Sequence, residues 1–190
     1  AINSIETVHK SVMPDEVLFY LNEYFADKDL NQIQVLDCTL GGGGHSELIL
    51  NSHKNTVITA IDRDINAIKR AEIKFSKFEG RFYPIHCSFE DLELKLNEYS
   101  NQYFDFILAD LGLSSDQLDD SKRGFAFRFE SDLDMRMDQT QQLTAYEVLN
   151  SYDIGHLTRV FKIGGVGNFS RELSKRVCSA RELKTTNDFK

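Results

Sequence analysis

Cysteine is scarce and scattered. The 190 residues hold three, Cys38, Cys87 and Cys178, with no CxxC pair, which excludes a disulfide framework and a thiolate zinc site and leaves buried free thiols in a reducing compartment as the reading. Long apolar runs are also missing. No stretch reaches the roughly 18 residues of a membrane span, and the first ten residues, AINSIETVHK, lack the basic-then-apolar order of a signal peptide. A cytosolic chain with no membrane partner is expected. Positive charge is short as well: the net charge is -8, which opposes the phosphate attraction on which non-specific nucleic-acid binding rests. That deficit is confined to one part of the chain. Residues 1–110 carry 10 Lys+Arg against 18 Asp+Glu, whereas residues 111–190 carry 12 of each. The second part, with Lys122, Arg123, Arg128, Arg171, Lys175, Arg176 and Arg181, therefore retains the means to present a basic face.

What is present is enough for one sizeable core, since 41% of residues are hydrophobic. Four short runs rich in β-branched and aromatic residues, 34–37, 56–61, 81–86 and 104–109, alternate with helical patterns at 14–25, 46–50, 66–78 and 89–99. This order predicts a doubly wound parallel sheet with right-handed crossovers, an α/β fold of Rossmann-like type. Residues 112–138 are polar and aperiodic, and helical patterns return at 144–150, 154–161 and 169–177. The chain is thus expected to divide into a Rossmann-like domain, 1–111, and a loop with a helical insert, 112–190. A fourth strand as hydrophobic as Phe106-Ile107-Leu108-Ala109 is rarely left at a sheet edge, so the sheet is expected to be incomplete and to continue beyond Lys190 or to pair with another chain.

The chemistry-bearing residues cluster where strands end. Asp37-Cys38-Thr39-Leu40-Gly41-Gly42-Gly43-Gly44-His45-Ser46 closes the first strand and opens a helix. Four glycines allow close backbone approach to a ligand, and the helix start offers free N–H groups to a carboxylate or other anion. The loop ends Gly-His-Ser, without the Lys of a Walker loop, which excludes ATP hydrolysis. Counting GxGxxG from Gly41 or Gly42 places Ser46 or Glu47 at the third glycine, so the dinucleotide fingerprint fails too. A methyl-donor site of Rossmann-like type remains. Asp62, about 20 residues on at the end of the second strand, is placed to accept from both hydroxyls of a ribose. Asp64 is expected to cap the helix that begins at Ile65. Phe89, after the third strand, suits either an adenine face or the core. Asp110, after the fourth, is placed to bind the adenine amino group or to orient a substrate amine. The (D/N/S)PPY tetrapeptide of many DNA amino-methylating enzymes is absent, and Asp132, Asp134 and Asp138 lack the glycine and terminal glutamate of a calcium loop.

Taken in order, Gly41-Gly42-Gly43-Gly44-His45-Ser46, Asp62-Arg63-Asp64, Asp110-Leu111-Gly112-Leu113-Ser114-Ser115-Asp116-Gln117-Leu118-Asp119-Asp120, Arg123-Gly124-Phe125-Ala126-Phe127 and Leu133-Asp134-Met135-Arg136-Met137-Asp138 resemble the RsmH/MraW family of bacterial 16S ribosomal RNA (cytosine-N4) methyltransferases. The resemblance spans roughly His9 to Phe189. It implies a class I methyltransferase fold and methyl transfer from S-adenosyl-L-methionine to a cytidine N4 in small-subunit ribosomal RNA. It also implies that Gly43, Gly44 and His45 meet the methionine part, Asp62 the ribose, Phe89 the adenine, and Asp110 and Gln117 the remaining cofactor edge, with the loop 111–138 framing the target base. Chemically, Asp110 is the candidate acceptor of the amine proton. Phe125 or Phe127 is available to stack on a splayed base, with Arg123 or Arg136 at phosphates; packing of that loop onto its own core, and burial of Arg136 against Asp134 or Asp138, are the competing expectations. Two departures stand out: Ser131-Asp132 replaces the usual Gly-Pro before the Leu-Asp-Met-Arg-Met-Asp motif, and Ile163-Gly164-Gly165-Val166 stands where Tyr-Gly-Glu-Glu is usual. The second, together with an end at Lys190, supports an alternative reading as a catalytically silent cofactor- or RNA-binding module.

Overall fold

The computed structural model describes residues 11–26, 31–98 and 103–190; the first ten residues and Tyr99, which the sequence reading included, lie outside them. Two compact units divide the chain, Ala1–Asp116 and Gln117–Lys190. In the first, the order is α1 (Pro14–Phe25), β1 (Ile33–Asp37), α2 (Gly44–Ser52), β2 (Thr56–Asp62), α3 (Ile65–Lys74), β3 (Phe82–His86), α4 (Leu92–Glu98) and β4 (Phe106–Leu108). The four strands are parallel and lie in the order β3-β2-β1-β4. Succession from β1 through β3 runs to one side, and β4 then returns to the other side of β1. The topological switch point is therefore the crevice between β1 and β4, where an open α/β sheet binds its ligand.

Side-chain alternation along the strands explains the two layers. Ile33 and Val35 of β1 and Ile58 and Ala60 of β2 face a core completed by Leu21 of α1, Ile49 and Leu50 of α2, and Ile68, Ala71 and Phe75 at α3. Leu36, Ile61 and Ile85 face the opposite side, with Cys38 and Cys87 and the α4 residues Leu92 and Leu96. Burial raises the pKa of both thiols. The central strand β2 is buried almost throughout, but β4 is not: Ile107 is 62% exposed. Continuous cover on both sheet faces, expected for all four runs, holds only for the two central strands.

The helices predicted at 66–78 and 89–99 are shorter than their patterns for local reasons. The pattern over 66–78 predicts one helix, yet α3 ends at Lys74 and a 3-10 turn covers Ser76–Phe78. Phe75 between them is buried against Phe82, ring centroids 4.2 Å apart. At 89–99 the helix starts only at Leu92, because a turn closed by Ser88 Oγ donating to Asp91 Oδ2 (2.8 Å) precedes it.

The second unit starts in the short helix α5 (Ser115–Asp119), within a stretch whose polar, aperiodic pattern predicts a loop, and continues with α6 (Ala145–Ser151), α7 (Ile154–Ile163) and α8 (Ser170–Ser179). The three longer helices pack around Leu133, Leu149, Leu157, Val177 and Leu183. A capping box starts α6: Thr144 Oγ1 accepts from Glu147 N (3.2 Å) while Glu147 Oε2 accepts from Thr144 N (2.7 Å). Asp153 starts α7 by accepting from His156 N at 2.8 Å. Arg181 closes α6 by donating to the carbonyls of Leu149 and Tyr152.

Gly43 gives a test of how the glycine run is built into this packing. Its φ is +74°, and an added Cβ would lie 2.6 Å from the Phe75 ring. Gly80 has a similar φ of +77° with nothing within 4 Å of a Cβ. Chemical denaturation should show Gly80→Ala costing about 1–2 kcal/mol for the left-handed backbone. Gly43→Ala should cost about 2–5 kcal/mol, because overpacking against Phe75 adds to the same backbone term.

Candidate active site

The crevice between β1 and β4 is assembled from the residues that end three strands. Asp37, the last residue of β1 and only 1% exposed, accepts from Ser46 Oγ at 2.7 Å and from Thr39 N at 3.0 Å. The bond to Ser46 fastens the strand end to the first turn of α2, so the intervening glycine loop is held at both ends. Asp62 closes β2 and takes one backbone N–H on each oxygen, Gly41 N on Oδ2 and Asp64 N on Oδ1, both at 2.8 Å. Its carboxylate is thus fixed in direction while lone pairs remain for further donors. Asp64 caps α3 as its spacing predicts, accepting from Asn66 N at 3.0 Å.

Gly43 is the N-cap of α2, and no side chain caps that helix. The first-turn N–H groups of Gly44, His45 and Ser46 have no partner within the helix, which gives this end a partial positive charge. A Cβ at Gly44 would meet Ser11 Oγ, so a side chain there requires that hydroxyl to turn aside. Lys74 of α3 reaches across to the loop, donating to Gly42 O at 3.1 Å and pairing with Glu47 at 3.0 Å. On the other side of the switch point, Asp110 N donates to Thr39 Oγ1 at 2.7 Å. The side chain of Asp110 is 43% exposed, and its Oδ2 lies 3.7 Å from Nε2 of the buried His45. That separation exceeds a hydrogen bond, and His45 Nδ1 has no hydrogen-bond partner among the described residues.

Five of the residues singled out from sequence, Gly43, Gly44, His45, Asp62 and Asp110, thus meet at the carboxyl ends of β1, β2 and β4. Phe89 stands in the turn after β3 with its ring 57% exposed, in solvent rather than in the core. Gln117 is buried and belongs to the second unit. Asp37, Thr39 and Lys74 join the site through bonds that strand and helix patterns do not predict. A charged residue closing a buried strand two positions before Thr39 was a usable sign for Asp37, whereas Lys74 joins the loop only through tertiary contact.

Within the second unit Arg123 and Arg136 are bonded internally. Arg123 is 3% exposed, donates from Nη2 to the carbonyls of Arg136 and Met137 at 2.8 Å each, and lies over the Phe125 ring. Arg136 makes a two-pronged bond to Asp134, at 2.9 and 2.7 Å, and donates to Gln141 O at 2.6 Å. Both are structural staples of a segment with little regular secondary structure, whose carbonyls need donors. The Arg136 guanidinium in turn holds the Asp134 carboxyl below the usual range. Phe127 stacks on Phe189 with ring centroids 6.5 Å apart. Packing of this loop onto its own core, one competing expectation, describes Arg123 and Arg136, whereas Phe127 remains 54% exposed.

Burial raises the Asp37 carboxyl above its ordinary value, against the pull of the Ser46 and Thr39 bonds; burial likewise raises Asp62, against its bonds from Asp64 and Gly41. A carboxyl raised in the folded state binds its proton more tightly there than in the unfolded chain, so it costs stability as pH rises from 3.8 through the folded value. Asparagine at 37 keeps an acceptor for Thr39 N and can donate to Ser46 Oγ. Urea denaturation should therefore show the stability of Asp37→Asn improving relative to the native chain between pH 4 and neutrality. A difference that stays constant, or moves the other way, would contradict the assignment.

Comparison with known proteins agrees with this architecture. A family model described as the MraW methylase family matches residues 6–190. The ribosomal RNA small subunit methyltransferase H of Acaryochloris marina is 42% identical over 158 residues, which cover 80% of this chain and 50% of the relative. The protein of the same name from Picosynechococcus is 41% identical over 153 residues, covering 80% and 51%. That from Persephonella marina is 38% identical over 176 residues, covering 93% and 58%. The chain spans about half the length of the curated relatives it matches. With both strand-end carboxylates, the glycine loop and Asp110 inside the matched span, the chain belongs to the MraW methylase family.

Proposed function

We propose that this chain forms the donor-binding part of an S-adenosyl-L-methionine-dependent methyltransferase that modifies a cytidine N4 in 16S ribosomal RNA, in the cytoplasm. The observation that carries the reading is the tie between Asp62 and Gly41, which joins the acidic end of β2 to the glycine loop beside the switch point. Membership in a methylase family calls for a methyl donor, and the residues present fit this one. Asp62 has acceptor capacity left for two ribose hydroxyls. The uncapped start of α2, with Gly43, Gly44 and His45, suits a carboxylate such as that of a methionine. Phe89 would lie on the adenine, with Asp110 at the remaining edge. Among the described residues no helix is long and apolar enough to cross a membrane.

When bound, S-adenosyl-L-methionine supplies a methyl group made electrophilic by the sulfonium. The protein's share is alignment, worth up to about 7–11 kcal/mol when reacting atoms are held in register, and removal of a proton. The N4 lone pair of cytosine is delocalised into its ring, so an acceptor must take a proton as the amine attacks. Asp110 is half-exposed, borne on the backbone by Thr39 and flanked by His45. It is the residue we assign to that task.

Calorimetric titration of the 190-residue chain with S-adenosyl-L-methionine tests the proposal. Saturable binding is expected, weakened by about 1.5–3 kcal/mol in Asp62→Ala through loss of charged hydrogen bonds. A folded chain that binds equally well with and without the Asp62 carboxylate would contradict the site.

A further inference from the structure

The net negative charge of the chain makes one stretch conspicuous. From Ile154 to Arg171 there is no Asp or Glu, and the stretch carries Arg159, Lys162 and Arg171. It forms α7, the turn after it and the start of α8. Its turn, Ile163-Gly164-Gly165-Val166, carries no carboxylate, and Asp153 and Glu172 stand just outside the stretch.

The packing of α7 on α8 shows where these cations stand. The helices meet where Thr158 Oγ1 donates to Ser174 Oγ at 3.2 Å, and Leu157 and Val177 lie in the core beneath. Arg159 follows Thr158 by one residue and Lys162 by four; Lys175 follows Ser174 by one and Arg171 precedes it by three. At 100° per residue, all four fall on the side of the α7–α8 seam that faces away from the core. All four are exposed, and none is held by a carboxylate among the described residues. Several other cations of this unit are engaged, Arg128 with Asp119, Arg176 with Glu172, Arg136 with Asp134, and Arg181 with the end of α6, while Lys122 and Lys184, outside the hairpin, are exposed as well.

The turn adds features suited to a nucleic acid. Gly165 and Gly167 have nothing within 4 Å of a Cβ position, so the backbone there is open to close approach. Phe169 is 76% exposed beside them, and Ile163 is 78% exposed. An exposed aromatic ring among free cations is the combination that binds single-stranded RNA, with bases stacking on the ring and phosphates on the cations. We infer that the outer face of the α7–α8 hairpin is a docking surface for a single-stranded stretch of RNA. Arg159, Lys162, Arg171 and Lys175 contact phosphates, and Phe169 stacks on an unpaired base. The inference rests on the ribosomal-RNA reading above and moves the RNA contact from Arg123 and Arg136, which are internally bonded, to this hairpin.

The test is fluorescence anisotropy of the full chain with a labelled mixed-sequence oligoribonucleotide of about 16 nucleotides, over a range of salt concentrations. Replacing all four cations by Gln should weaken binding and lower the slope of log affinity against log salt by about 2–3, at about 0.7 for each phosphate contact in a single strand. Phe169→Ala should weaken binding about tenfold with the slope unchanged. Lys54→Gln with Lys69→Gln, exposed cations of the first unit, should change neither. Equal binding by the four-cation variant, an equal loss in the Lys54/Lys69 control, or no RNA binding by the native chain would overturn the inference. So would displacement of the RNA by polyglutamate at lower charge concentration, which would assign the face to an acidic protein. Calorimetry with S-adenosyl-L-methionine on the same variants keeps the two questions apart. Loss of donor binding in the native chain contradicts the methyltransferase site, whereas retained donor binding with unaltered RNA binding contradicts only the hairpin surface.

Discussion

Asp62 holds the candidate site together by a simple division of labour. Each of its oxygens takes one backbone N–H, one from the glycine loop after β1 and one from the start of the turn into α3. A glycine-rich loop of this length has many accessible backbone states, and ordering it costs conformational entropy. The bond to Gly41 N, the bond from Lys74 to Gly42 O and the Asp37–Ser46 tie restrict it from three directions. The loop is thereby shaped by the protein itself. A ligand arriving at Asp62 would then meet acceptors already oriented, with less ordering left for binding to pay for.

The same region concentrates charge in an unusual way. Asp37, Asp62 and Asp110 end or follow three neighbouring strands, and the buried imidazole of His45 stands beside Asp110. Burial raises the pKa values of Asp37 and Asp62, so carboxylates there are kept at some cost in stability. Perturbed acids gathered at a topological switch point are a common mark of a functional site.

Much of the first unit was legible because its signals are local and mutually consistent. Alternating apolar runs, short helical patterns and the glycine loop each point to the same parallel sheet, and Pro14–Phe25 forms a helix with the predicted bounds. Asp62, Asp64 and Asp110 were readable from their positions after strands. Partial exposure of β3 and β4 was not, because period-2 patterns report what a strand can bury and not what covers it. The second unit was harder. Arg123 and Arg136 look alike whether they bind a ligand or staple a loop, and only the carbonyls and the Asp134 carboxylate around them decide. The free cations of α7 and α8 became distinguishable from the bonded ones for the same reason: sequence gives the number of charges, and packing gives their partners.

A nitrogen-15 spectrum of the labelled chain titrated with S-adenosyl-L-methionine bears most directly on the preformed donor site. The backbone amides of Gly41 to Ser46, with those of Asp62 to Asp64 and Asp110, should shift together and saturate at one ligand concentration. The Gly41 and Asp64 amides should be sharp and dispersed before ligand is added, as expected of groups already bonded to Asp62. Broad or absent loop signals that sharpen only with ligand, or shifts confined to residues away from the β1–β4 crevice, would contradict a site built in advance by the Asp62 carboxylate.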